Sequence, residues 1–241
     1  IQWKIEKSSL PWMGLAGALL FAASTLQQAG LQWTTAANAA FITTLYVVFV
    51  PLLLVLFWKQ RLPWLNWAAA LLAITGVKLL SSPGGLQLAP GDGMELAGSV
   101  IWALHVILVS RVVFRMDALQ FSIGQYLVCG LLNLAAALFF DMHTAPGLVT
   151  AWWTVLFGGA ISVGLGYTLQ VFGQKYSPPT DAALILSSES VFAAFAGYLF
   201  LQEGLLPVQL AGCALILASI IVVQIWGSRQ PAAQKTGPVS Y

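Results

Sequence analysis

Charged side chains are scarce in this chain of 241 residues: they make up 7%, ten basic and eight acidic, against about 25% in a typical soluble domain. Hydrophobic residues reach 59%, with ten Trp. No water-soluble fold of this length hides so much apolar surface, so lipid must be the solvent for much of it. The net charge of +2 carries no signal for nucleic acid, and none is expected as a partner. Cysteine is nearly missing, and Cys129 and Cys213 lie inside apolar runs with neither metal spacing nor a disulfide framework. No metal and no cofactor is expected. The two histidines, His105 and His143, stand far apart, no HExxH pattern occurs, and no pair of carboxylates is expected to share a span. An intramembrane enzyme would need such a set. Nor is there a nucleotide-phosphate loop or a sizeable soluble segment, so ATP-driven pumping by this chain alone has no support.

What the chain has is long apolar runs. Eight stretches, near 10–31, 36–58, 63–81, 94–114, 118–140, 149–174, 180–201 and 206–226, are long enough to cross a hydrocarbon core of ~30 Å, which takes about 20 helical residues. Helices are required because backbone polar groups in lipid must be satisfied within the segment. Weak alternation and abundant Leu and Ala argue against a β-barrel. The fold class expected is all-α, a polytopic transmembrane helix bundle.

The few basic residues set the orientation. If every segment crosses, Lys4, Lys7, Lys59, Arg61, Arg111, Arg115, Lys175, Arg229 and Lys235 fall on one side and only Lys78 on the other. Cytoplasmic loops carry the excess of Lys and Arg, which places both ends in the cytoplasm. A miscounted helix would scramble this partition.

The chain also resembles itself. Thr25–Ile42, TLQQAGLQWTTAANAAFI, aligns with Thr168–Ile185, TLQVFGQKYSPPTDAALI, at a constant offset of 143, with seven of eighteen positions identical. The polar identities Thr25/Thr168 and Gln27/Gln170 are the hardest to assign to chance, and the register runs on through Phe49/Phe192, Phe57/Phe200 and Gln60/Glu203. The matched helices are five spans apart and so cross in opposite senses, the inverted-topology arrangement common in transporters. The spans near 94–114 and 118–140 then have counterparts before residue 1. The expected organisation is an incomplete first repeat of three helices over 1–81, an external loop over 82–91, a second, inverted repeat of five helices over 92–226, and a disordered cytoplasmic tail over 227–241, the last eight helices of a ten-helix fold.

At these residues the chain resembles the drug/metabolite transporter superfamily, the EamA-type permeases. The stretch AFITTLYVVFVPLLLVLFWKQRLP, Ala40–Pro63, looks like the fourth helix of that family's first repeat, and GDGMELAGSVIWALHVILVSR, Gly91–Arg111, like the opening helix of its second. Ala183–Glu203, ALILSSESVFAAFAGYLFLQE, is similar to the segment where the family often carries Glu-Pro and a terminal Gly-Glu; Ser190 stands where Pro is common, and Gln60 where Glu is. The resemblance implies ten helices in two inverted repeats around a cavity, alternating access, and export of amino acids or other metabolites across a bacterial inner membrane. With the charge partition above, the expectation is a multi-pass protein of the bacterial inner membrane with a cytoplasmic C-terminus.

Polar groups inside lipid are expensive, so each needs a partner or a water-filled cavity. Glu189, about ten residues into its helix, reads as the one carboxylate clearly inside a span, able to meet a cationic group or take a proton. A structural bond to a neighbouring helix is the other reading. His105 and Trp102, one turn apart on one face, offer a polar contact and an aromatic wall, or else a satisfied core histidine beside a packing Trp. Gln27 and Gln170, at equivalent positions, line a cavity or join helices by hydrogen bonds; Gln125 and Tyr126 are candidates of the same sort. Tyr46 takes the place of Glu189 in the first repeat. Pro51, inside its span, removes a backbone hydrogen bond and is the candidate hinge. Small residues recurring every four positions, Gly14/Ala18/Ala22 and Gly158/Ser162/Gly166, are expected to let helices approach closely. The function expected is movement of a small solute by alternating access. The alternative is a non-transporting membrane scaffold or partner subunit. The lipid bilayer is the partner required; assembly into a homo-oligomer stays open.

Overall fold

A computed structural model describes residues 7–81, 89–139, 150–200, 204 and 206–229. Eight helices of membrane-crossing length account for them, with no strand among the described residues. They are α1 (Leu10–Gly30), α2 (Ala36–Trp58), α3 (Trp64–Ser81), α4 (Asp92–Arg115), α5 (Ala118–Phe139), α6 (Trp152–Gln174), α7 (Pro179–Phe200) and α8 (Pro207–Arg229). Each matches an apolar stretch of the sequence to within a turn. Most of the expected 82–91 loop, and the expected tail beyond Arg229, lie outside the described residues.

Local signals explain the boundaries. The Thr35 hydroxyl accepts the backbone N–H of Asn38 at 3.1 Å and caps α2, so the cap sits three residues before Asn38. Pro179 opens α7 in the first turn, where a missing N–H costs nothing. Lys59 closes α2 in the left-handed conformation, φ 52°. Beside that end the Arg111 guanidinium lies 4.2 Å over the Trp58 ring, tying α2 to the end of α4.

Helix α4 is the centre of the bundle and packs against α1, α2, α6 and α7. One apolar layer joins Met13 and Ala16 of α1 to Val109, Val112 and Val113 of α4 and Phe121 of α5. Another sets Val50, Leu53 and Leu54 of α2 against Ala103, Val106 and Ile107 of α4 and Ala182 and Ala183 of α7. Helix α6 is the opposite case: 6% of its span is buried within the protein, against 56% for α4. Its middle, Phe157–Tyr167, is a π-helix.

Helices α3 and α8 form a close seam. A Cβ placed on Gly76 would stand 2.7 Å from the carbonyl oxygen of Gly212, and one on Gly212 2.6 Å from that of Gly76. Between helices in lipid, where apolar burial gives little drive, such close backbone approach is a main source of attraction. The expected small faces behave differently: a Cβ on Gly14 or Gly158 would meet nothing within 4 Å. The close contacts fall instead at Gly17 on Gln125 and Val128, and at Gly124 on Met13. Every fourth small residue was the wrong guide because the faces that carry Gly14 and Gly158 point away from their neighbours.

Overpacking a tight interface costs about 1–3 kcal/mol. Gly212→Leu is therefore expected to lower the melting temperature of the purified protein in detergent by several degrees, and Gly158→Ala to leave it unchanged; scanning fluorimetry of the two variants checks this.

Candidate functional site

Two helices are interrupted at the same register. Helix α2 consists of Ala36–Thr44 and Tyr46–Trp58, joined at Leu45; α7 consists of Pro179–Leu186 and Glu189–Phe200, joined at Ser187 and Ser188. Leu45 and Ser188 are 143 residues apart, the offset of the sequence repeat. Hydroxyls accompany both breaks. Thr44 donates to the carbonyl of Ala40 at 2.7 Å, Ser187 to that of Leu184 at 2.6 Å, and Ser188 to that of Ile185 at 2.6 Å. Such back-bonding competes with the backbone ladder and bends helices. The segment Tyr46–Trp58 is continuous through Pro51, so the interruption of α2 lies six residues before the expected hinge.

A cavity of about 170 Å3 opens at the breaks, lined by Gln27 of α1, Ala40, Thr43, Thr44 and Tyr46 of α2, and Leu186, Ser187, Glu189, Ser190 and Ala193 of α7. Ala40 aside, three of its wall positions pair across the repeat: Thr43 with Leu186, Thr44 with Ser187, and Tyr46 with Glu189. Each break lies about 15 Å along its helix from the N-terminal end, at 1.5 Å per residue. Both breaks lie near the middle of their spans, and the cavity with them. The Glu189 side chain is open to it. Its carboxyl is also within electrostatic range of the Tyr46 and Tyr167 phenols.

Behind this wall lies a polar chain that sequence reasoning missed. Gln27 Nε2 donates to Thr43 Oγ1 at 3.5 Å, and Thr43 Oγ1 donates to Glu95 Oε2 at 3.0 Å. Glu95 is fully buried. It shares α4 with Asp92, as Glu189 shares α7 with Asp181, so the expectation that no two carboxylates share a span does not hold, and Glu189 is not the one carboxylate inside a span. It lies one turn inside α4, where an acid suits the helix N-terminus; the usable signal was an acid already embedded in an apolar run.

The other predicted residues form a separate cluster between α4, α5 and α6, away from the cavity wall. His105 Nε2 and Gln125 Oε1 are 3.0 Å apart and both side chains are buried. Trp102 stands edge-on to His105, ring centroids 5.8 Å apart, and to Tyr167 at 6.0 Å. Tyr126 Oη and Thr168 Oγ1 are 3.1 Å apart. His105 and Trp102, expected to share a wall with Glu189, turn toward α5 and α6; Tyr167 is what connects the two groups. Gln170 is half-buried on α6 and does not line the cavity, although its counterpart Gln27 does.

A broken helix pair that meets at a polar, mid-bundle cavity is the architecture of transporter sites, and the sequence comparison names the kind. The model of the EamA-like transporter family matches residues 1–82 and 89–225. The chain belongs to that family. An uncharacterized transporter of Archaeoglobus fulgidus is 30% identical over 213 residues, covering 87% of this chain and 67% of that protein. A protein of known crystal structure superimposes with a TM-score of 0.76 at 21% identity, covering 90% of this chain and 77% of the other, and so shares the fold. The chain is therefore a multi-pass membrane transporter of the EamA-like family.

The His105–Gln125 pair gives a stability test. Leaving a buried polar group without its partner costs about 1–3 kcal/mol, whereas replacing both partners by apolar groups is nearly neutral. Gln125→Leu is expected to lower the melting temperature in detergent, and adding His105→Phe to restore much of the loss, as a double-mutant cycle would measure.

Proposed function

We propose that this EamA-like transporter moves a small solute bearing an amino group, an amino acid or a related metabolite, through the cavity between the α2 and α7 breaks. The observation that carries the proposal is Glu189: it opens a helix segment at mid-bundle and meets the cavity with Tyr46 opposite it in the repeat register. A carboxylate there meets an ammonium group, and the Tyr46 ring face adds cation–π attraction. The hydroxyls of Thr43, Thr44 and Ser187 are positioned to hydrogen-bond polar parts of the solute. The volume lies below the roughly 300–1,000 Å3 of pockets for drug-sized ligands, which suits a small metabolite.

The mechanism proposed is alternating access between two inverted halves. The matched breaks and the paired wall positions support it, because a site built from both halves changes its open side when one half rocks against the other. Leu45 and Ser187–Ser188 supply the flexing points, with Pro51 as a further soft position in α2. Export from the cytoplasm across a bacterial inner membrane accords with the family resemblance, and no catalytic step is involved. A second reading, a partner subunit or scaffold, draws on α6, whose outer face has room for further helices; flux measurements separate the two.

Purified protein in liposomes is expected to exchange radiolabelled amino acids by counterflow, and Glu189→Gln to reduce the rate at least tenfold with the melting temperature unchanged. Wild-type protein that exchanges no amino acid removes this reading in favour of the scaffold, and undiminished flux in the variant removes Glu189 from the site.

The basic residues support a cytoplasmic C-terminus. In a background with Cys129→Ala and Cys213→Ala, Arg115→Cys is expected to react with a membrane-impermeant maleimide only after cells are opened, and Gln32→Cys in intact spheroplasts. The reverse pattern inverts the topology.

A further inference from the structure

Among the described residues, Glu95 is the one fully buried carboxyl in direct contact with the cavity wall, and its surroundings are sparse. One oxygen takes the Thr43 hydroxyl at 3.0 Å; the other, Oε1, has no hydrogen-bond partner. That oxygen rests against Gly30, where a Cβ would stand 2.7 Å from it, so the glycine makes room for the carboxyl. The ionisable groups that face it are few. On α4 itself Asp92 lies one turn earlier, its carboxyl taking the Thr34 hydroxyl at 2.6 Å and the Ala89 N–H at 2.8 Å. Helix α1 carries no ionisable side chain, α2 carries only Tyr46, and α7 presents Glu189 from the far side of the cavity. Neither α1 nor α2 supplies a cation. A bare carboxylate in that setting would lack a counter-charge, whereas the neutral acid is well accommodated.

We propose that Glu95 is a proton-binding site in the back wall of the cavity, exchanging its proton with the cavity through Thr43. The hydroxyl supplies the route. Thr43 lines the cavity and its Oγ1 also touches Glu95 Oε2, so with its hydroxyl turned from Oε2 to a cavity water it takes the carboxyl's proton as its own passes to the water. The O–H bonds of Glu95 and Thr43 break and new ones form at Thr43 and the water, leaving a carboxylate and a hydronium ion, so charge is conserved. Resting on the transport reading above, the inference adds the ion: the proton held at Glu95 is the one exchanged against the solute.

Infrared difference spectra of the purified protein in vesicles, recorded on pH jumps, test the site without any solute. A carboxylic-acid carbonyl band is expected in the wild type and missing from Glu95→Gln. It should move to higher frequency in Thr43→Val, which removes the hydroxyl, and relax at least tenfold more slowly after the jump. Gly30→Ala, which presses a methyl onto Oε1, should shift the same band and serves if Glu95→Gln does not fold. A band unchanged in Glu95→Gln, or unmoved by both other variants, overturns the site; unchanged relaxation in Thr43→Val overturns the route. In liposomes, accumulation of labelled amino acids driven by a pH gradient should fall at least tenfold in Glu95→Gln, and accumulation equal to wild type overturns the role in coupling. A wild type that moves no amino acid yet shows the Glu95 band upholds the proton site and sinks only the transport reading.

Discussion

Inside a bilayer, no water is at hand for a carbonyl that loses its helical partner, and that constraint organises this molecule. Each interruption in α2 and α7 frees backbone groups, and each is accompanied by a hydroxyl that bonds back to a carbonyl of the preceding turn: Thr44 to Ala40, Ser187 to Leu184, Ser188 to Ile185. The hydroxyls help to satisfy the backbone where the ladder is interrupted. Once formed, the breaks place polar atoms at mid-bundle, where a cavity collects them. The site is thus a by-product of how the backbone is kept satisfied, and its chemistry is borrowed from the same serines and threonines.

The second organising fact is the central position of α4. It carries Glu95 at one end, His105 and Trp102 in the middle and Arg111 near the other, so one helix threads both polar groups and the basic end of the bundle. The apolar layers on either side of it hold α1 and α5 on one flank and α2 and α7 on the other. Burial is graded outward from there, and α6, the least buried span among the described residues, carries an irregular π-helical middle.

Much of this was legible in the sequence. Hydropathy located the eight spans because length and apolarity decide membrane crossing almost alone. The offset of 143 pointed to matching helices before any coordinates, and both breaks fall on it. Glu189, Tyr46 and Gln27 were named and do share one wall. What was not legible was which face of each helix turns inward. His105 and Gln125 were both candidates, yet nothing in one dimension says that they bond to each other rather than to a solute. Glu95 was not singled out, because its neighbour in space, Thr43, is 52 residues away along the chain. Gly14 and Gly158 had the right spacing but the wrong direction, since a four-residue period marks a stripe without saying what faces it.

The Gly76–Gly212 seam has a mechanical corollary. Where main chain rests on main chain, little side-chain repacking is open to α3 and α8, which disfavours sliding of one past the other. Such a pair suits the role of a spine. Any change of shape has to be carried by elements that can pivot beside it, and the half-helices beyond Leu45 and Ser188 are the ones with a joint.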